Sequence, residues 1–155
     1  MQSLARFLVI LSLLVWIGSI VFFSFVVAPT VFSVLPAQEI AGTVVSRSLG
    51  ALHQIGLICG VILLAATFLG RFRQATALRV LVGLMLLCTG FSQFRITPQM
   101  ERIRAAVGGP IHALPPQDAG RATFDRLHQT SVVLEGIVLL AGIGVVALLS
   151  REPRE

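Results

Sequence analysis

Residues 121–135, Arg-Ala-Thr-Phe-Asp-Arg-Leu-His-Gln-Thr-Ser-Val-Val-Leu-Glu, are the densest group of side chains able to do chemistry. At the helical step of about 100° per residue, Arg121, Phe124, His128, Ser131 and Glu135 fall on one face. The stripe runs into the apolar stretch 132–149, which is long enough to lie in hydrocarbon. A charged group at that depth costs roughly 2.5–3.5 kcal/mol on insertion scales, so Glu135 must face protein or water and have a partner.

The candidates for that partnership sit elsewhere in the chain. His53 precedes Gly56 and Gly60, a Gly-xxx-Gly on nearly its own helical face, so a second helix can approach closely there and His53 points inward. Arg95 follows Cys88 and Ser92 on one face at the end of another apolar run, and is the expected ion-pair partner of Glu135. Met100 lies one to two turns further on. Three chemistries fit this set. His53 and His128 as imidazole ligands with Met100 as a thioether suit a soft metal such as copper. His53 and His128, on helices that run the same way, suit the axial positions of a haem. Or the histidines satisfy buried hydrogen bonds while Arg95–Glu135 fixes helix register. No nucleophile–base pair or phosphate-binding loop is visible, which argues against an enzyme.

Four apolar runs must position these residues: 7–35, 49–69, 78–94 and 132–149. Each has the length of a membrane span. Joined in order as antiparallel helices, they bring Pro29, His53, Arg95 and His128 to one end of a bundle. Pro29 removes a backbone hydrogen bond late in the first run, which either kinks it out of the membrane or frees a carbonyl near Phe25 as an acceptor for a site. Pro36 suits the start of an amphipathic lead-in to the second. Thr97-Pro98 reads as the cap and first residue of a short helix, 98–107, lying on the membrane surface and ended by Gly108-Gly109-Pro110. A new helix begins near Asp118. His112, in a proline-rich loop, reads as solvated, and no internal repeat stands out.

Composition agrees with this plan. With 55% apolar and only 12% charged residues, and the charges gathered between the runs, the chain reads as one membrane domain over 1–155 with no soluble domain. Its net charge of +5 comes from arginines at span ends, without a basic stripe carrying aromatics, so nucleic-acid binding is not indicated. Cys59 and Cys88 fall inside spans and read as packing residues. The first run continues to Ala28, too long for the apolar core of a signal peptide, and is read as a retained span. Arg71, Arg73 and Arg79 flank the short second connection with no acid among them, which places both termini in the cytoplasm. The expected partners are the lipid bilayer and other membrane subunits or a second copy.

The segments Phe-Val-Val-Ala-Pro at 25–29, Leu35-Pro36, Arg-Ile-Thr-Pro-Gln-Met at 95–100 and Phe-Asp-Arg-Leu-His-Gln-Thr-Ser at 124–131 resemble the transmembrane protein 205 family, four-span proteins of unknown function. That family is similar in plan to the membrane domain of copper-resistance protein D. The resemblance covers nearly the whole chain and implies a four-helix membrane fold with a metal- or drug-handling association. Ala28, Pro29, Arg95, Pro98, Met100, His128 and Ser131 match its motif positions. Family members often carry Asn near where this chain has Glu135.

The expectation is therefore an all-α, integral membrane four-helix bundle with a short amphipathic surface helix between spans three and four, in a bacterial cytoplasmic membrane. Its polar site comprises His53, Arg95, Met100, His128, Ser131 and Glu135 near the outward face. The site would bind or transport a metal ion or small solute. The rival is a non-catalytic accessory subunit in which these residues fix packing, and a haem-binding electron-transfer protein comes third.

Overall fold

The computed structural model describes residues 2–151, except the side chain of His112, which lies outside the described set. Four long helices dominate: α1 (Gln2–Val34), α2 (Gln38–Leu69), α3 (Ala75–Val107) and α4 (Ala119–Leu149), each long and apolar enough to cross a membrane. A single 3₁₀ turn, Ile111–Ala113, lies in the α3–α4 connection, and no strand occurs among the described residues. The protein is an integral membrane four-helix bundle. α1 packs on α2, α2 on α3 and α3 on α4, with α4 closing the ring against α1, so α2 and α4 are diagonal.

Each helix is amphipathic only in a weak sense, because both of its faces are apolar and differ in what they touch. Trp16, Ile20, Leu63, Met85, Val138 and Val145 fill the interior. Leu14, Phe25, Ile58, Phe68, Leu87 and Leu140 point outward, where hydrocarbon chains solvate them as well as protein would.

Two helices contain a π turn, at Phe23–Val27 in α1 and Ser92–Ile96 in α3. Each ends just before an X-Pro pair, Ala28-Pro29 or Thr97-Pro98. The ring of a helical proline collides with the carbonyl four residues back. A turn widened to i→i−5 bonds, from Ala28 N–H to Phe23 O and from Thr97 N–H to Ser92 O, relieves that crowding while keeping the helix continuous. Thr97 therefore does not cap a new helix. Its hydroxyl donates to the Ser92 carbonyl at 3.1 Å, and the amphipathic segment Thr97–Val107 continues span three directly.

The ends follow local rules. Gly108 terminates α3 with φ 63°, a left-handed conformation that suits glycine. Asp118 caps α4, its Oδ1 accepting from the backbone N–H of Gly120 at 2.8 Å and of Arg121 at 3.1 Å. At the opposite end, Arg79 reaches back along the bundle, stacking 4.0 Å over Phe68 and donating to the Thr67 carbonyl at 2.9 Å.

Candidate functional site

His53 lies near the middle of α2, fifteen residues after its first, Gln38, and not at its end. Gly56 follows one turn later and Gly60 one turn after that. A Cβ at Gly56 would collide with the Trp16 indole of α1, and one at Gly60 with both Trp16 and Leu86 of α3. The two glycines thus let α1 and α3 close over this part of α2, which buries His53 completely. That is the close approach expected from the Gly-xxx-Gly spacing.

Both ring nitrogens of His53 are engaged. Nε2 lies 3.1 Å from Glu135 Oε2 across the bundle diagonal, and Nδ1 lies 3.2 Å from Gln93 Oε1 in the π turn of α3. Side-chain exposure is 1% for His53 and 16% for Glu135, so the pair is shielded from solvent. With an acceptor at each nitrogen, a ring donating from both is an imidazolium beside a carboxylate, neutral as a unit. Moving the Nε2 proton onto Glu135 leaves two neutral groups joined by O–H···N. Either arrangement keeps both bonds. Gln93 steadies the ring from behind, since a second hydrogen-bond partner fixes a histidine's tautomer and orientation.

Other polar atoms border this triad. Trp16 Nε1, which lies against Gly56, Thr89 Oγ1 and Ser92 Oγ are buried without a hydrogen-bond partner among the described residues. All three lie within about one helical turn of His53's glycine or of Gln93. Leaving such a group unpaired costs about 1–3 kcal/mol, and three around one ionisable pair mark this level of the bundle as polar.

The expected site changes in membership. Glu135 has His53 as its partner, and Arg95 is exposed with no hydrogen bond or ion pair among the described residues. The reason is angular: Arg95 follows Gln93 by two positions, roughly half a turn, so when one faces the core the other faces out. His128 is exposed, and it precedes Glu135 by seven residues, about 10 Å along α4. Met100, half-buried, lies about as far beyond Gln93 on α3. The structure therefore sets His53 at a different level of the bundle from His128 and Met100. Ser131 is buried one turn from Glu135, on the side of α4 that also carries Phe124. Ala28 is half-buried and Pro29 exposed, each just after a π turn, as is the half-buried Pro98.

Among the described residues no three His, Cys, Asp or Glu side chains gather as a metal-holding group. Gln93 was the member that sequence reasoning missed. The signal for it was its place one residue past Ser92, in a span that has to break its hydrogen-bond pattern before Pro98.

No curated protein and no solved structure matches the chain. The family described as DUF4149, a domain of unknown function, matches residues 11–108, which run from α1 through the end of α3 and include His53 and Gln93. The match covers well over half of the sequence, and the chain belongs to the DUF4149 family.

Proposed function

We propose that the protein binds a small hydrogen-bonding solute inside the membrane and couples its binding or passage to the proton held by His53 and Glu135. The observation that carries this reading is the buried His53–Glu135 pair bordered by the unpartnered Trp16 Nε1, Thr89 Oγ1 and Ser92 Oγ. These groups supply an N–H donor, two hydroxyls that donate or accept, and a proton that can be given up or taken. Ionisable residues inside membrane bundles mark solute and proton pathways for the same energetic reason. The donor set favours a solute over a metal ion, since Gln93 and Glu135 engage opposite nitrogens of His53 and cannot share one ion with it. The resemblance to the transmembrane protein 205 family, with its metal- or drug-handling association, supports a ligand-handling role.

The same reading places both termini in the cytoplasm, with Arg71, Arg73 and Arg79 at the inner surface of a cell membrane. Trp16, the only tryptophan, is a built-in reporter of the site.

The test is mass spectrometry of small molecules released on denaturing the detergent-purified protein, alongside elemental analysis and a visible spectrum. The expected result is a colourless protein that releases a solute stoichiometrically, with the solute absent from His53→Ala and its re-addition restoring Trp16 fluorescence. Stoichiometric copper or a Soret band would overturn the solute reading in favour of a metal or haem. A protein that carries nothing, and whose Trp16 emission is the same in His53→Ala, would leave it an accessory subunit.

A further inference from the structure

We infer that the bundle is one two-helix unit used twice: α1–α2 is repeated as α3–α4 about a two-fold axis along the membrane normal, and that axis passes between His53 and Glu135. Ser24 is then the fourth member of the polar site, at the position equivalent to Gln93.

The first helices of the two units correspond at an offset of 69, the step from Pro29 to Pro98. At that offset the π turns Phe23–Val27 and Ser92–Ile96 coincide residue for residue. Around them Phe22, Phe25 and Pro29 match Phe91, Phe94 and Pro98. Two π turns at the same place in two helices is a strong coincidence, because π turns are rare. The buried Val9, Leu13, Trp16 and Ile20 fall on the equally buried Leu78, Val82, Met85 and Thr89.

The second helices correspond at an offset of 82, the separation of His53 and Glu135. Leu52, Ile55, Leu57, Gly60 and Ala65 then match Leu134, Ile137, Leu139, Gly142 and Ala147. The larger offset reflects both the extra turn at the end of α3 and the longer connection between α3 and α4.

Helical periodicity alone could align burial patterns in several registers, but packing selects this one. Gly60 of α2 receives Trp16 and Leu86, and Gly142 of α4 receives Met85 and Ile17. Trp16 corresponds to Met85 and Ile17 to Leu86, so each contact of one glycine is the mirror in sequence of a contact of the other. A two-fold operation exchanging the units produces this reciprocity. Equivalent residues can meet only near the axis, and His53 and Glu135 meet there at 3.1 Å. Repeat interfaces with an axis along the membrane normal are a known setting for transport sites.

The register also explains why the repeat is hard to read in sequence. Leu-His-Gln occurs at 52–54 and again at 127–129, inviting an alignment of His53 with His128. The packing places that second triplet two turns away from the axis.

The test is an exchange of equivalent residues, read as the thermal unfolding midpoint of the full chain in detergent. His53→Glu and Glu135→His singly should each lower the midpoint by roughly 5 °C or more, since they put two carboxyls or two imidazoles on the axis, and the double exchange should recover most of that loss. Charge reversal alone could do this, so the deciding measurement is a second exchange, Ser24→Gln with Gln93→Ser. It should lower the midpoint in the native background, where Gln93 serves His53, and raise it in the exchanged background, where the imidazole has moved to the other unit. A change of the same sign in both backgrounds would overturn the repeat and the place of Ser24. The role of Ser24 rests on the solute-binding reading, whereas the repeat does not. A native protein that carries no solute, with the sign reversal intact, would count against solute binding alone.

Discussion

His53 and Glu135 meet across the diagonal of the bundle, Nε2 to Oε2 at 3.1 Å, and so link two helices that are not neighbours in the ring. The pair sets two ionisable side chains inside the bundle, shielded from solvent. Breaking a buried pair by deleting one partner strands the other, at a cost of about 3–5 kcal/mol. Glu135→Ala and His53→Ala should both destabilise by about that order, the histidine variant also losing its bond to Gln93. Glu135→Gln, which can still bond a neutral imidazole, should cost about half as much. Denaturant unfolding in mild detergent measures all three.

Arg95 offers a contrast within the same few residues. It is exposed and unpaired among the described residues, so Arg95→Ala should change stability by no more than about 0.5 kcal/mol. Gln93→Ala should cost about 1–2 kcal/mol through the loss of a buried bond to His53. A double-mutant cycle should find coupling of about 0.5–3 kcal/mol between His53 and Glu135 and none between Arg95 and Glu135. Coupling of Arg95 to Glu135 at that level would mean that the arginine, not the imidazole, holds the carboxyl.

Glycines divide by what a methyl group would strike. Gly60→Ala meets Trp16 and Leu86, and Gly142→Ala meets Ile17 and Met85, whereas an added Cβ at Gly18 or Gly136 meets nothing within 4 Å. The first two should cost about 1–3 kcal/mol by overpacking. The second two should be neutral or slightly stabilising, because alanine is the better helix former. Thermal midpoints of the four variants, measured side by side, check the division.

Cys59 and Cys88 are free and buried, one in each second and third helix of the ring. A maleimide reagent should label neither in the folded protein and both after denaturation, with labelling tracking the unfolding transition. Fast labelling of either thiol under native conditions would mean that the bundle core opens readily.

Much of the architecture was legible in the chain itself. Four uninterrupted apolar runs have a single economical fate, because backbone polar groups in hydrocarbon must be satisfied within a helix. The stop at Gly108, the start at Asp118 and the inward direction of His53 were local consequences of glycine, aspartate and the Gly-xxx-Gly spacing. Glu135 needed a partner because of where it lies. Which partner it has was decided only by tertiary packing. Arg95 was the stronger electrostatic choice by residue type, yet the π turn before Pro98 turns Gln93 inward and Arg95 out. His128 shares a face with Glu135, but a face is a direction and not a depth, and seven residues of helix carry it about 10 Å away. The repeat was hidden for a related reason. Apolar residues substitute freely for one another in a bilayer, so the identity that survives is slight, while the contacts of Gly60 and Gly142 depend on shape and keep the two-fold relation that the letters have lost.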